Sequence, residues 1–322
     1  MLEGTAAPAQ PSRKERRRRR LERQKSGVWY PRWFWPAFAV PGIVWLLLLF
    51  VLPFYVIFAV GFGTVDVYRN PLPVWQPWFW TKSYLYDTLG KIFGSNAFLQ
   101  PVYFRTFLFV AIASSICLVL GYAVAYYTSR FAGKWRTLIL ILLISPFWIS
   151  YLMRMLAWVN LLDDEGYINN VITGLHLAPK PVNWLQGNAL TVVLGLVYGY
   201  IPYMVLPLFA FLDRIQTSLL EAGRDLGASP ISTFFRVTLP LSKPAILAGL
   251  VIVALPMFGD YYTNDLLSAS PKTAMIGNLI NNSVGSYGQG PEGAILVILL
   301  MILLLIPMLY YLRYTLHAQE EA

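Results

Sequence analysis

Carboxylates set into an apolar chain are the first residues whose chemistry can be read. Asp260 closes the run "AILAGLVIVALPMFGD"; Tyr261 and Tyr262 follow it, and Asp265 stands five positions on. Carboxylates with aromatic walls suit a cation carried on an alkyl chain: ion pairs hold the charged nitrogens, and ring faces take nitrogens and methylenes alike. Asp163, Asp164 and Glu165 place more negative charge at the end of another apolar run, and Arg154 is a lone cation inside that run. Charges inside apolar segments are expensive in lipid and default to functional readings. Asp260, Asp265, Tyr261, Tyr262, Asp163 and Trp148, which lies beside Pro146, are therefore assigned to a substrate path. A competing reading stays open. Asp260 and Arg154 can pair as a structural bridge, residues 163–165 can form a solvated helix end, and Trp148 can be an interface residue.

Other chemistry is not supported. The phosphate loop G-x-x-x-x-G-K-[ST] does not occur; "AGKWR" at 132–136 has neither the upstream glycine nor the Ser/Thr. His176 and His317 are far apart, so neither a zinc site nor histidine catalysis is expected. The single cysteine, Cys117, allows no disulfide within the chain and reads as a small packed hydrophobe. The chain is thus read as non-catalytic, with no catalytic residue, no metal and no cofactor of its own.

These residues need a membrane scaffold to position them. Of the 322 residues, 57% are hydrophobic and 13% charged, with a mean hydropathy of +0.54; soluble domains carry about a quarter charged residues. The aromatic share of 16% suits membrane–water interfaces. Crossing the hydrocarbon core takes about 20 apolar residues, and six runs qualify: 37–63, 106–129, 137–162, 189–212, 244–262 and 294–312. Backbone in lipid must satisfy its own hydrogen bonds, so the predicted fold is an all-α integral membrane protein with six transmembrane helices. Pro53, Pro146, Pro202, Pro207, Pro256 and Pro307 fall within these runs and are read as tolerated kinks.

With the N-terminus in the cytoplasm, eighteen Lys and Arg lie on the inner side and six on the outer. That bias obeys the positive-inside rule and places both termini in the cytoplasm. The basic run "RKERRRRRLERQK" at 13–25 belongs to a predicted disordered tail, residues 1–32, that fixes topology and touches anionic lipid. No folded nucleic-acid motif accompanies it, so nucleic acid is not expected as a partner. Nor does it read as a cleavable signal, because the apolar run that follows is too long. A permeation domain is expected over 33–317, with a short tail at 318–322. The outer loops 64–105, 163–188 and 263–293 are expected to hold short interfacial helices.

The inner segment 213–243 is punctuated by caps. Ser218 and Glu221 have capping-box spacing. Gly227 suits a left-handed helix end. Ser229 followed by Pro230 reads as an N-cap with proline at the first helical position. Two short helices with a defined bend are predicted, the first shaped to dock into a groove with Glu221 paired to a basic residue there, or simply lying on the membrane.

The stretch 221–244, "EAGRDLGASPISTFFRVTLPLSKP", resembles the EAA loop of permease subunits of binding-protein-dependent ABC importers. It has the Glu-Ala start, a glycine six residues after the Glu and the terminal Leu-Pro. Gly223 stands where the family usually has a second alanine, at a helix-propensity cost of about 1 kcal/mol. The resemblance implies that this loop is the coupling helix, with Glu221, Ala222, Gly223, Asp225, Gly227, Ala228 and Pro240 meeting an ATPase subunit. Further segments are similar to the spermidine/putrescine permease subgroup: "LLLISPFWISYLMRMLAWVNLLDDEGYIN", "GLVYGYIPYMVLPLFAFLDRI" and "LPMFGDYYTNDLLSASPKTAMIGNLI". The likeness covers nearly all of the chain after Phe104. It implies a type I importer permease fold in the bacterial cytoplasmic membrane and a polyamine cargo. It also implies three partners: a dimer of ATPase subunits carrying ATP and Mg, a second homologous permease, and an extracytoplasmic binding protein. The alternatives are another small solute, or a secondary transporter working alone, which has no need of a groove-docking helix.

Overall fold

The computed structural model describes residues 33–95, 97–286 and 288–320. The tail predicted at 1–32 lies outside the described residues, as do residues 321 and 322 and the side chain of His317. The chain divides into two units, residues up to Tyr55 and Val56–Ala322. Helix α1 (Phe34–Gly61) runs from the first into the second and keeps Pro41 and Pro53 in its interior. Along the first unit its side chains are apolar and largely exposed, among them Trp45, Leu46 and Phe50.

In the second unit, the end of α1 meets a small hairpin of β1 (Thr64–Val65) and β2 (Pro71–Leu72). Trp80 stacks on Phe62 at 5.1 Å and on Phe58 at 6.1 Å. Helix α2 (Ser83–Phe93) follows, and its Lys91 is held between Asp87 and Glu292, each at 2.8 Å. Then come α3 (Gln100–Arg130), α4 (Arg136–Ile144), a 3₁₀ turn at Ser145–Trp148, α5 (Tyr151–Leu162) and α6 (Tyr167–Gly174). Helix α7 (Ala189–Leu212) leads into α8 (Thr217–Asp225) and α9 (Pro230–Thr233). A π turn at Phe234–Thr238 joins these to α10 (Leu239–Leu241) and α11 (Lys243–Phe258). The chain continues through α12 (Tyr262–Leu267), α13 (Ile276–Gly285) and α14 (Gly290–Glu320).

Among the described residues, four helices are individually long and apolar enough to cross a membrane, and the number is six when each of two bent helix pairs is counted as one span. The bent pairs correct two expectations. The third run, read as one helix over 137–162, turns by 91° between Gly133–Trp148 and Tyr151–Gly174. Pro146 supplies no N–H, and Ser150 caps a new helix by accepting from Met153 N at 3.3 Å. The fifth run ends at Phe258 rather than 262, and it joins the preceding Pro230–Leu241 at 63°.

The centre of the second unit is α3, α7 and α11. In lipid there is little hydrophobic drive between helices, so association depends on close packing of small residues. On α3, Ala113, Cys117, Gly121 and Ala125 recur every four residues and are all buried. On α11, Ala245, Gly249, Val253 and Met257 do the same. Met204 of α7 fills the gap between the stripes: a Cβ on Gly121 would lie 2.9 Å from its Cγ, and one on Gly249 2.6 Å from its Sδ. Cys117 donates weakly to Val197 O at 3.7 Å, consistent with a packed thiol.

Candidate functional site

Helix α11 stops at Phe258, and Asp260 leaves it with its N–H on Met257 O at 3.2 Å. The side chain turns inward and is 7% exposed. Its Oδ1 accepts from Thr263 N at 3.0 Å, which holds the start of α12. Its Oδ2 accepts from Thr263 Oγ1 at 2.8 Å, Tyr151 Oη at 2.8 Å and Tyr200 Oη at 3.1 Å. Tyr151 is the first residue of α5, so the 91° break places it; Tyr200 comes from mid-α7. Tyr151 Oη also meets Thr263 Oγ1, so two hydroxyl protons serve three contacts. Among the described residues only donors bond to this carboxylate, as an acceptor-only group requires.

Arg154 does not pair with Asp260. It is 7% exposed, and among the described residues its Nε and Nη1 have no hydrogen-bond partner. Its guanidinium lies over the rings of Phe147 at 4.1 Å, Tyr151 at 5.4 Å and Tyr198 at 5.8 Å. In place of the bridge that the sequence left open as an alternative stands a cation in an aromatic box. The reason is the helix break: it brings Phe147 back onto the face of α5 that carries Arg154, and the Tyr151 hydroxyl takes Asp260 instead.

The remaining path residues are scattered. Asp265 is exposed and accepts from Asn278 Nδ2 at 2.6 Å, while the same amide also donates to Tyr261 O at 3.0 Å. Tyr261 and Tyr262 stack on one another at 4.1 Å. Trp148 is 80% exposed; its neighbour Phe147 makes the site contact. Asp163 is exposed at the end of α5 and accepts from Asp164 N at 2.9 Å, in a helix-end turn. Sequence reading missed Tyr151, Tyr200, Thr263 and Phe147. The one available signal was "SPFWIS", whose proline and second serine mark the break that aims Phe147 and Tyr151.

The second candidate site is the loop at 213–243. Helix α8 starts at Thr217 with Gln216 at the N-cap and no side-chain cap, so the expected Ser218–Glu221 capping box does not form. Glu221 falls at the fifth helical position, is exposed, and makes no hydrogen bond or ion pair among the described residues. Gly227 has φ +82° and closes the helix, with its N–H on Arg224 O at 2.8 Å. Ser229 caps α9 by accepting from Ser232 N at 3.2 Å, with Pro230 at the first helical position. Ala222, Asp225, Gly227 and Pro240 are exposed, and Gly223 and Ala228 are half-buried. Beyond Pro240, Ser242 is fully buried; its Oγ contacts Tyr122 Oη at 2.9 Å and donates to Leu239 O at 2.9 Å.

Gly223 has room for a methyl group: a Cβ there would lie 3.5 Å from Thr233 Cγ2, ordinary van der Waals contact. Gly223→Ala is therefore expected to stabilise α8 by about 1 kcal/mol. Slower amide hydrogen exchange over 217–225 in the variant checks this, and unchanged exchange counts against it.

Broken and unbroken apolar helices, with a caged carboxylate beyond the end of α11 and a capped, exposed helical loop before it, define a helical protein of the membrane-spanning class. Residues 117–318 match the family described as binding-protein-dependent transport system inner membrane component, and the chain belongs to that family. Both candidate sites fall inside the match. The spermidine/putrescine transport system permease protein PotB of Escherichia coli is 37% identical over 219 residues, 67% of this chain and 79% of the relative. PotB of Haemophilus influenzae is 32% identical over 272 residues, 84% of this chain and 90% of the relative. Among solved structures, a bacterial alginate ABC transporter in complex with its alginate pentasaccharide-bound periplasmic protein contains a chain with TM-score 0.68. That chain is 18% identical, with 87% of this chain and 92% of the other covered. The fold is that of type I ABC importer permeases, a multi-pass membrane protein.

Proposed function

We propose that this chain is the permease subunit through which an ATP-driven importer moves a polyamine, spermidine or putrescine, across the bacterial cytoplasmic membrane. The observation that carries the reading is Asp260, a buried carboxylate surrounded by neutral donors with no cation bonded to it among the described residues. Neutral donors spread its charge without cancelling it, which leaves an attraction for an ammonium group. Asp265 and the Tyr261–Tyr262 stack lie just beyond, where further amines and methylenes can be held. The naming of the PotB relatives supports the same cargo.

In this reading an extracytoplasmic binding protein delivers cargo to the outer loops, and this chain pairs with a second, related permease. Two ATPase subunits carry the ATP and Mg and push on α8 as they close, and both termini are cytoplasmic. This chain performs no catalysis; it binds, orients and releases. Asp260→Asn should raise the spermidine concentration for half-maximal ATPase stimulation by about tenfold in the reconstituted complex, the value of one charge-assisted contact. Asp265→Asn should have a smaller effect in the same direction. Unchanged stimulation in both variants removes these carboxylates from the path.

A further inference from the structure

A buried cation and a buried anion in one chain ordinarily pair, because an uncompensated charge away from water is costly. Here Arg154 and Asp260 are each 7% exposed and are not joined. Tyr151 touches both: its ring lies 5.4 Å from the Arg154 guanidinium, and its hydroxyl lies 2.8 Å from Asp260 Oδ2. Phe147 and Tyr198 complete the box around the guanidinium. The attraction of three ring faces offsets part of what the arginine loses by having no anion bonded to it among the described residues. The Tyr151 ring also lies across Gly199, where a Cβ would sit 2.7 Å from Tyr151 Cε2, so its position is closely fitted.

We propose that Tyr151 keeps the chain's own cation off Asp260 and thereby reserves that carboxylate for an ammonium group of the cargo. The proposal rests on the reading of Asp260 as cargo-facing. An Arg154–Asp260 pair would neutralise the site, and each arriving ammonium would first have to break it. Tyr151 is thus a positioning residue. Its ring holds Arg154 by cation–π attraction, and its hydroxyl occupies the side of Oδ2 that the guanidinium would otherwise take. Oδ1 accepts a single N–H and keeps capacity for an incoming donor.

The test uses the reconstituted complex, with spermidine as the probe and stimulated ATP hydrolysis as the readout. Tyr151→Leu removes ring and hydroxyl and keeps much of the volume. It should raise the half-stimulating spermidine concentration about tenfold, by freeing Arg154 to compete. Adding Arg154→Gln should restore it to within about threefold of the parent, whereas adding Arg154→Lys, which keeps the charge, should not. A merely structural role for Tyr151 predicts no rescue by Gln, or equal rescue by Gln and Lys; either outcome overturns the proposal, as does a Tyr151→Leu complex that responds like the parent. Arg154→Gln alone gives a reading that needs no change at 151. It should shift the response by less than about threefold, since the arginine does not reach Asp260 in the parent, and a tenfold shift sinks the idea. Asp260→Asn separates the two levels. If it leaves the spermidine response unchanged, the cargo-facing reading itself fails; if it weakens the response while the rescue fails, only the role of Tyr151 falls.

Discussion

Glu221→Arg is expected to leave the chain in the membrane and to abolish its co-purification with the ATPase subunit. The structure sharpens the reason. Helix α8 buries none of its residues, and Leu226, just past its end, is 89% exposed. Glu221 neither caps its own helix nor pairs within the described residues, so its charge is uncompensated there. Reversing a charge that meets a basic residue in a docking cleft typically costs 2–5 kcal/mol or more, which is about 30-fold to several-thousandfold in affinity. Membrane insertion depends on the apolar spans and is unaffected. Equal membrane content with no retained ATPase is the expected pattern. A complex that survives purification intact and still transports would remove Glu221 from the coupling role. Glu221→Gln, which leaves a neutral side chain of the same shape, should give an intermediate result.

Gly277→Ala should destabilise the packing around the end of α11. Its Cβ would lie 2.6 Å from Gly259 O and 2.7 Å from Asp260 O. Both are backbone carbonyls and cannot swing aside as a side chain would, so α13 or the end of α11 must shift. Overpacking of this kind costs about 1–3 kcal/mol, and the carbonyl that moves belongs to the residue bearing the site carboxylate. A lower thermal midpoint of the purified complex is expected together with a weaker spermidine response. If both are unchanged, the contact is looser than the geometry states.

What could be read from the sequence was what is local. Ser229, Pro230 and Gly227 work in the positions their types suggest, because caps and left-handed turns involve neighbours only a few residues away. The six apolar runs were legible for the same reason. The capping box failed by a small shift in register: α8 begins at Thr217, so Ser218 lies inside the helix. The identity of the Asp260 partners was not legible. Tyr151, Tyr200 and Thr263 converge from three elements, the first of them separated from Asp260 by 109 positions. Their meeting depends on a 91° turn that periodicity does not encode. The picture of a working-alone secondary transporter falls with the family assignment.

The elbow at Ser242 gives the loop at 213–243 a mechanical character. A displacement applied at α8 is useful only if it is not absorbed as compliance on the way to the spans. The π turn, the buried serine, its contact with Tyr122 on α3 and its bond back to Leu239 leave little slack between the 63° limbs. In the proposed function such a loop would serve as a crank rather than a tether: a push at one end would tilt α11 and move the backbone that carries Asp260 at its other end.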